Sequence, residues 1–140
     1  MFSRFATALL LLLALLLTMQ TDQVFSATVP TADPDKGLVV FYRVKRAKGA
    51  AMRFQISDIS GVSIGSLSNG TMFYQYFEPG QKTFDVRTPS VNGSDLITLD
   101  IVAGETYYVQ GEILWGWPAG RPKFSRPSES QALSGIKKIK

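Results

Sequence analysis

Hydrophobic and polar residues alternate most regularly over residues 96–114. In the first part of this stretch, Ile97, Leu99 and Ile101 occupy every second position with polar residues between them, which is typical of a half-buried β-strand. Gly104 follows at a point where the chain can reverse through a positive φ angle. Residues 106–114 then return to β-favouring side chains such as Thr, Tyr, Val and Ile. The pattern predicts a β-hairpin around which the remaining elements are organised.

Five further strands are predicted by the same criteria, over residues 38–44, 52–57, 62–67, 71–77 and 82–88. Alternation also predicts which side chains face the core on three of these strands: Val40, Tyr42, Val44, Met52, Phe54, Ile56, Phe84 and Val86. Turn signals separate the strands. The strongest is Asn69-Gly70, because both residues tolerate the positive φ of a type I′ hairpin turn. Pro79-Gly80 and Asn92-Gly93 mark two more turns.

The pattern changes after Leu114. Residues 115–130 contain three prolines, so they predict an aromatic and basic loop without regular structure. In the tail, Leu133, Ile136 and Ile139 are spaced three apart, which fits either one turn of helix or a last short strand. We favour a strand over residues 132–139.

About seven short strands at regular spacing, with turns between nearly every pair, predict an all-β fold. The expected architecture is a single antiparallel β-sandwich, immunoglobulin-like, over residues 37–140. A small closed barrel is the alternative. Residues 28–36 hold two prolines and no apolar period, so they are expected to form a flexible lead-in.

Residues 1–27 have the order of a secretory signal peptide. Arg4 supplies a positive start, residues 5–17 are almost entirely apolar, and the small residues Ser26 and Ala27 offer a cleavage site. The alternative is an uncleaved anchor, but the apolar run is shorter than the roughly 20 residues that span a bilayer. We therefore expect a protein exported to the periplasm or beyond, with no integral membrane segment in the mature chain.

Composition excludes several kinds of chemistry. The 140 residues include no cysteine and no histidine, so disulfides, cysteine nucleophiles, Ser-His-Asp triads and ordinary zinc sites are excluded. We expect no cofactor and no metal. The formal net charge of +4 is far below the density typical of nucleic-acid-binding domains, so no nucleic acid partner is expected.

Several short motifs carry a resemblance to a known family. They are Tyr42-Arg43, Gly65, Pro79-Gly80 and the segment Ala103-Gly104-Glu105-Thr106-Tyr107-Tyr108. Over roughly residues 37–113, the sequence resembles the uncharacterised bacterial domain-of-unknown-function family 2846, many of whose members are lipoproteins. The resemblance implies an exported β-sandwich with no known enzymatic role. This chain departs from the lipoprotein members because it lacks the lipobox cysteine.

The predicted loop at residues 115–130 is the best candidate for a binding site. Exposed indoles stack on sugars or lie among lipid headgroups, and neighbouring cations attract phosphate or carboxylate. The candidate residues are Trp115, Trp117, Arg121, Lys123, Phe124 and Arg126. The alternative is that the tryptophans cap the core while the cations stay solvated. Two more basic segments, residues 45–48 and 137–140, allow the same two interpretations.

Two further groups of side chains are candidates for a chemical role. Asp85, Asp100 and Glu112 lie on separate predicted strands, and glycoside hydrolysis needs only two carboxyl groups. An exposed sheet face is a poor place to raise a carboxyl pKa, so we expect no enzyme. Alternation should place one of Tyr107 and Tyr108 in the core and the other on the surface.

These observations favour a non-catalytic, exported β-sandwich that acts as an accessory or protein-interaction module of the bacterial cell envelope. The alternative is a binding module for an anionic glycan or lipid headgroup, with the Trp, Arg and Lys side chains of residues 115–130 as its site.

Overall fold

The computed structural model describes residues 27–89, 93–116 and 119–139, and these residues form eight strands and one helix. The strands are β1 (Gly37–Tyr42), β2 (Phe54–Asp58), β3 (Ser63–Leu67), β4 (Met72–Phe77), β5 (Gly80–Arg87), β6 (Ser94–Ile101), β7 (Thr106–Leu114) and β8 (Arg121–Ser125). The helix α1 covers Glu129–Ile136. Within the described part of the chain, no helix is long and apolar enough to cross a membrane.

The strands form two four-stranded sheets, as a β-sandwich requires. Sheet A has the order β4-β1-β7-β8, and sheet B has the order β3-β2-β5-β6. The prediction of an all-β sandwich is confirmed, with eight strands in place of about seven. The prediction of a purely antiparallel fold is wrong because β1 and β7 pair in parallel. The strand order also differs from the immunoglobulin constant domain, in which the first two strands pair with each other.

The predicted hairpin over residues 96–114 is a crossover between the sheets. Its two strands exist, but β6 pairs with β5 in sheet B and β7 pairs with β1 and β8 in sheet A. Asn69-Gly70 likewise connects β3 of sheet B to β4 of sheet A. Only Gly70 has a positive φ there, and Asn69 instead exchanges two hydrogen bonds with the backbone of Arg46. Turn residues show where the chain reverses but not which sheet the next strand joins.

The segment after Leu114 is more regular than predicted. β8 forms despite Pro122 because it is an edge strand of sheet A, where a missing N–H group can be tolerated. The tail is helical rather than extended. Ser128 caps α1 by accepting a hydrogen bond from the Gln131 N–H, while the Gln131 side chain accepts one from the Ser128 N–H. The capping box corresponds to the sequence Ser-Glu-Ser-Gln at residues 128–131, and it determines where the helix begins.

Sheet A is covered on both faces, which gives the protein two cores. The inner core lies between the sheets and includes Val39 and Phe41 of β1. The outer core lies on the other face of sheet A, where α1 and the lead-in pack over Leu38, Val40 and Tyr42. The expectation that Val40 and Tyr42 face the inter-sheet core is therefore wrong. All six residues of β1 are buried, and such a continuous apolar run is typical of a parallel strand covered on both faces.

Tyr107 and Tyr108 follow the same rule. They lie on opposite faces of β7, as alternation predicts, yet both are buried because Tyr107 belongs to the inner core and Tyr108 to the outer core. The Tyr107 hydroxyl lies 2.8 Å from the Asp100 carbonyl oxygen and accepts a hydrogen bond from the Val102 N–H at 3.0 Å. A tyrosine bonded to backbone a few residues upstream also braces crossovers in other β-sandwiches.

The lead-in contains no helix or strand and packs along the sandwich. Val29 contacts the outer core, and the Thr31 carbonyl accepts a hydrogen bond from the Tyr76 hydroxyl at 2.8 Å. The Gly104 N–H donates to the carbonyls of Asp33 and Lys36, both at 3.1 Å. The Tyr76 bond ties the segment to β4, and the two Gly104 bonds tie it to the β6–β7 crossover.

Replacing Gly65 by alanine should destabilise the protein by about 1–3 kcal/mol. A Cβ at Gly65 would lie 2.6 Å from the Phe73 ring, and that ring is held in place by stacking on Phe41 with ring centroids 5.0 Å apart. Chemical denaturation measures the loss. The matched control is Ser66→Ala on the exposed face of the same strand, which should change stability by less than about 0.5 kcal/mol. Equal effects of the two substitutions would contradict this packing.

Candidate functional site

A cleft opens where β1 separates from β7. Their pairing ends at Tyr42 and Gln110, while β7 continues to Leu114. On the β1 side, the last four residues of β7 have no strand partner among the described residues. The resulting cleft has a volume of about 320 Å³. We call it the basic–aromatic cleft, and its polar and aromatic lining consists of Arg43, Arg46, Lys48, Gln110, Glu112 and Trp115.

Arg43 organises one wall of this cleft. Its side chain is only 4% exposed, and its guanidinium donates hydrogen bonds to the carbonyls of Met52 and Gly49, the latter at 2.6 Å. The same group lies 4.6 Å from the centroid of the Phe54 ring. Burial lowers the pKa of Arg43 from its ordinary value. Since both carbonyls belong to the loop between β1 and β2, Arg43 fixes that basic loop against the inner core.

Trp115 forms the opposite wall and is both packed and exposed. A Cβ at Gly49 would lie 3.1 Å from Trp115 Cζ2, and one at Gly120 would lie 2.9 Å from Cε3, so the indole rests against both glycines. Its side chain nevertheless remains 47% exposed. Lys48 places its Nζ 4.6 Å from the ring centroid, a cation–π contact. The basic loop at residues 45–48 and Trp115, which sequence reasoning treated as separate sites, therefore form one.

The other predicted site residues are distributed over both faces of β8 and its end. Arg121 and Lys123 are exposed, and Lys123 lies directly opposite Glu112 in the sheet register. Phe124 is a correction, because it is 4% exposed and belongs to the inner core, so it is unavailable to a ligand. Arg126 lies 5.3 Å from the Tyr107 ring rather than beside Trp115. Trp117 lies outside the described residues.

A row of hydrogen bonds crosses the floor of the cleft. The Tyr42 hydroxyl donates to Gln110 Oε1 at 2.9 Å, and Gln110 Nε2 donates to Glu112 Oε1 at 2.9 Å. α1 covers the tyrosine so closely that a Cβ at Gly135 would lie 3.0 Å from Tyr42 Cε2. Burial, with a smaller effect from the Glu112 charge, raises the pKa of Tyr42 to about 12. The row holds the Glu112 carboxylate in a fixed orientation.

Comparison with protein families identifies the chain. Residues 33–121 match the model of the family described as "Protein of unknown function (DUF2846)". The chain belongs to this family. The match covers β1 to β7 and includes every residue that lines the basic–aromatic cleft. Nearly all of β8 and the whole of α1 lie beyond it. None of the curated proteins compared with the chain matches it.

The three carboxylates considered for hydrolysis do not meet in this DUF2846 member. Asp85 and Asp100 lie on sheet B, whereas Glu112 lies on sheet A. Asp100 is opposite Gln81, which is four residues along β5 from Asp85, so about 13 Å separates the two aspartates. Within the described residues there is also no cluster of metal-ligating side chains. Asp85, Asp100 and Glu112 therefore do not form a paired acid and base.

The stability of the protein should fall as the pH rises from about 10 to about 12. Folding raises the pKa of Tyr42, so the folded state keeps a proton that the unfolded chain has already lost in this interval. The stabilisation is complete below the unfolded pKa and disappears as the pH passes the folded value. Tyr107 and Tyr108 have pKa values raised in the same direction by burial.

Urea denaturation across this pH range, in the native protein and in Tyr42→Phe, measures the contribution of Tyr42. At neutral pH the variant should be about 1 kcal/mol less stable, because Gln110 Oε1 loses its donor. Its stability should then fall less steeply with pH than that of the native protein. Parallel pH profiles in the two proteins would show that Tyr42 is not the group responsible.

Proposed function

We propose that this member of the DUF2846 family is a non-catalytic, exported β-sandwich module of the bacterial cell envelope. It binds a partner protein through the basic–aromatic cleft. The single observation that carries the proposal is that the cleft combines an unpaired stretch of β7 with a cluster of cations and a half-exposed tryptophan. The depressions over β2, β3 and β5, beside β4, and between β6 and β8 do not bring these three features together.

Charge determines the kind of partner segment that suits the cleft. Arg43, Arg46 and Lys48 supply three positive charges, and Glu112 supplies one negative charge, which leaves a balance of +2. Arg43 is committed to loop carbonyls, whereas Arg46 and Lys48 are exposed and free to meet a ligand at the rim. An acidic segment would therefore be attracted and oriented by these two side chains.

Backbone geometry favours an extended segment. Beyond Gln110, β7 is paired only with β8, so its other edge carries N–H and C=O groups that a further strand can use. A partner chain entering the cleft would extend the line of β1 along this edge. Strand addition gains affinity from the main chain and specificity from the side-chain contacts, here with Trp115 and Lys48.

The second candidate is an anionic glycan or a lipid headgroup as ligand. Its support is the cation–π contact between Lys48 and the half-exposed Trp115, since an indole beside a cation suits a sugar ring with an anionic substituent. Arg121 and Lys123 extend the positive surface along β8.

Binding of an acidic, β-prone peptide should be weakened roughly tenfold or more by the double substitution Arg46→Glu, Lys48→Glu. The matched control is Lys36→Glu, Lys82→Glu, which changes the net charge equally just before β1 and on β5, at positions that do not line the cleft. Fluorescence anisotropy with a labelled peptide of alternating Val and Asp residues gives the affinities. A peptide with Asn in place of Asp tests the need for charge.

The outcomes separate the two candidates. Equal weakening by both double substitutions would mean non-specific attraction and would overturn the role of the cleft. Binding of sulfated polysaccharide or phosphatidylglycerol vesicles, with no binding of the peptide, would favour the glycan or headgroup candidate. Loss of that binding in Trp115→Ala would then assign it to the cleft.

Export is tested by following the full chain with a C-terminal tag in a Gram-negative host. Mass spectrometry of the exported protein should give a mature N-terminus at Ala27 or Thr28. Leu12→Arg interrupts the apolar run and should accumulate as precursor, whereas Gln20→Arg adds the same charge outside that run and should be processed. An intact native chain in the cytoplasm, or one held uncleaved at the membrane, would overturn this part of the proposal.

A further inference from the structure

The outer face of sheet B is a second surface with the character of a binding site. Sheet A is covered by α1 and the lead-in, but no described element covers the outer face of sheet B. The sheet register places mostly short polar side chains on this face. They include Ser57, Ser63, Ser66, Thr83 and Thr98. Short side chains leave room above the backbone, and a depression of about 570 Å³ lies over β2, β3 and β5.

Asp85 is the unusual group in this depression. It lines the space from β5, yet its side chain is only 8% exposed. Arg87, two residues along the same strand, donates from Nε to Asp85 Oδ2 at 2.6 Å. Asp85 Oδ1 is buried and has no hydrogen-bond partner among the described residues. A buried carboxylate oxygen without a donor is rare in native structures, because an ionised carboxylate accepts at both oxygens.

The composition of the depression indicates which donor fits. Asp58 and Asp85 contribute two negative charges and Arg87 one positive charge, so the balance is −1. Asp58 Oδ1 already accepts the N–H groups of Ser60 and Val62 in the β2–β3 turn. Asp85 is thus left as the acceptor with unused capacity, and the serine hydroxyls around it can accept further hydrogen bonds.

We propose that this depression binds a primary ammonium group, with Asp85 Oδ1 as the charge-assisted acceptor and the hydroxyl of Ser57, which is the register partner of Asp85 on β2, beside it. An ammonium ion carries three N–H donors and a charge opposite to that of the site. A neutral polyol matches the hydroxyls but not the charge, and no aromatic ring lines the depression for a sugar to stack on. The site is on the opposite sheet from the basic–aromatic cleft and does not depend on it.

The test is a titration of the ¹⁵N-labelled protein followed by backbone amide NMR, with Nα-acetyl-lysine amide as the probe. Saturable shift changes centred on Gln55, Ser57 and Asp85 are expected. The same compound acetylated at Nε, which has lost the charge, should produce no saturable change. Asp85→Asn should reduce the affinity roughly tenfold or more. Asp100→Asn removes the same charge from an exposed position on the same face and should leave the affinity unchanged.

Three results would overturn the proposal: no saturable change with the lysine probe, an equal response to its Nε-acetylated form, or an unaltered affinity in Asp85→Asn. The comparison of the two probes in the native protein stands even if Asp85→Asn does not fold. Glucosamine and glucose serve as two further probes in the same NMR titration. A response to glucosamine alongside the lysine probe supports a small amine as well as a protein lysine, whereas an equal response to glucose overturns the assignment to ammonium.

Discussion

The parallel pairing of β1 with β7 is the constraint on which the rest of the structure depends. β1 lies between β4 and β7, and both of its faces are buried, so it contributes to two cores at once. A strand in this position needs apolar side chains at successive positions rather than at alternate ones. It also needs cover on the outer face, which α1 and the lead-in provide. The lead-in and α1, at the two ends of the described residues, are therefore part of the fold.

The same pairing creates the basic–aromatic cleft. Arg43 follows the last paired residue of β1, and its guanidinium pulls the next loop toward the inner core through Gly49 and Met52. β7 continues without β1 beside it. The cleft thus forms because β1 ends before β7 does. Its cations belong to the loop that follows β1. Phe124 lies on β8 and faces the inner core, Arg126 follows the end of β8, and neither lines the cleft.

Local patterns in the sequence were sufficient to predict the strands but not their partners. Alternation at Ile97, Leu99 and Ile101 identified β6 and its buried face correctly. The turn at Gly104 was also real, with φ of +81°, yet it links two sheets because each strand finds a better partner elsewhere. In β1 the prediction that alternate residues, among them Val40 and Tyr42, face the core is incomplete, because the apolar run has no polar positions and is buried on both faces. The capping box at Ser128 indicates a helix that begins at this point of the sequence. The spacing of Leu133, Ile136 and Ile139 fits a helix or a strand equally, and the choice of a strand was wrong.

The order in which the chain emerges gives the β1–β7 pairing a further consequence. The Tyr42 hydroxyl bonds to Gln110, 68 residues later in the sequence. Contacts of such long range are slow to form, since the intervening chain must first be brought together. During synthesis or passage through a membrane channel, β1 has no parallel neighbour until β7 follows it. Sheet A therefore cannot be completed before β7 is available, and in a chain that is exported as proposed this happens only after the residues up to Leu114 have crossed.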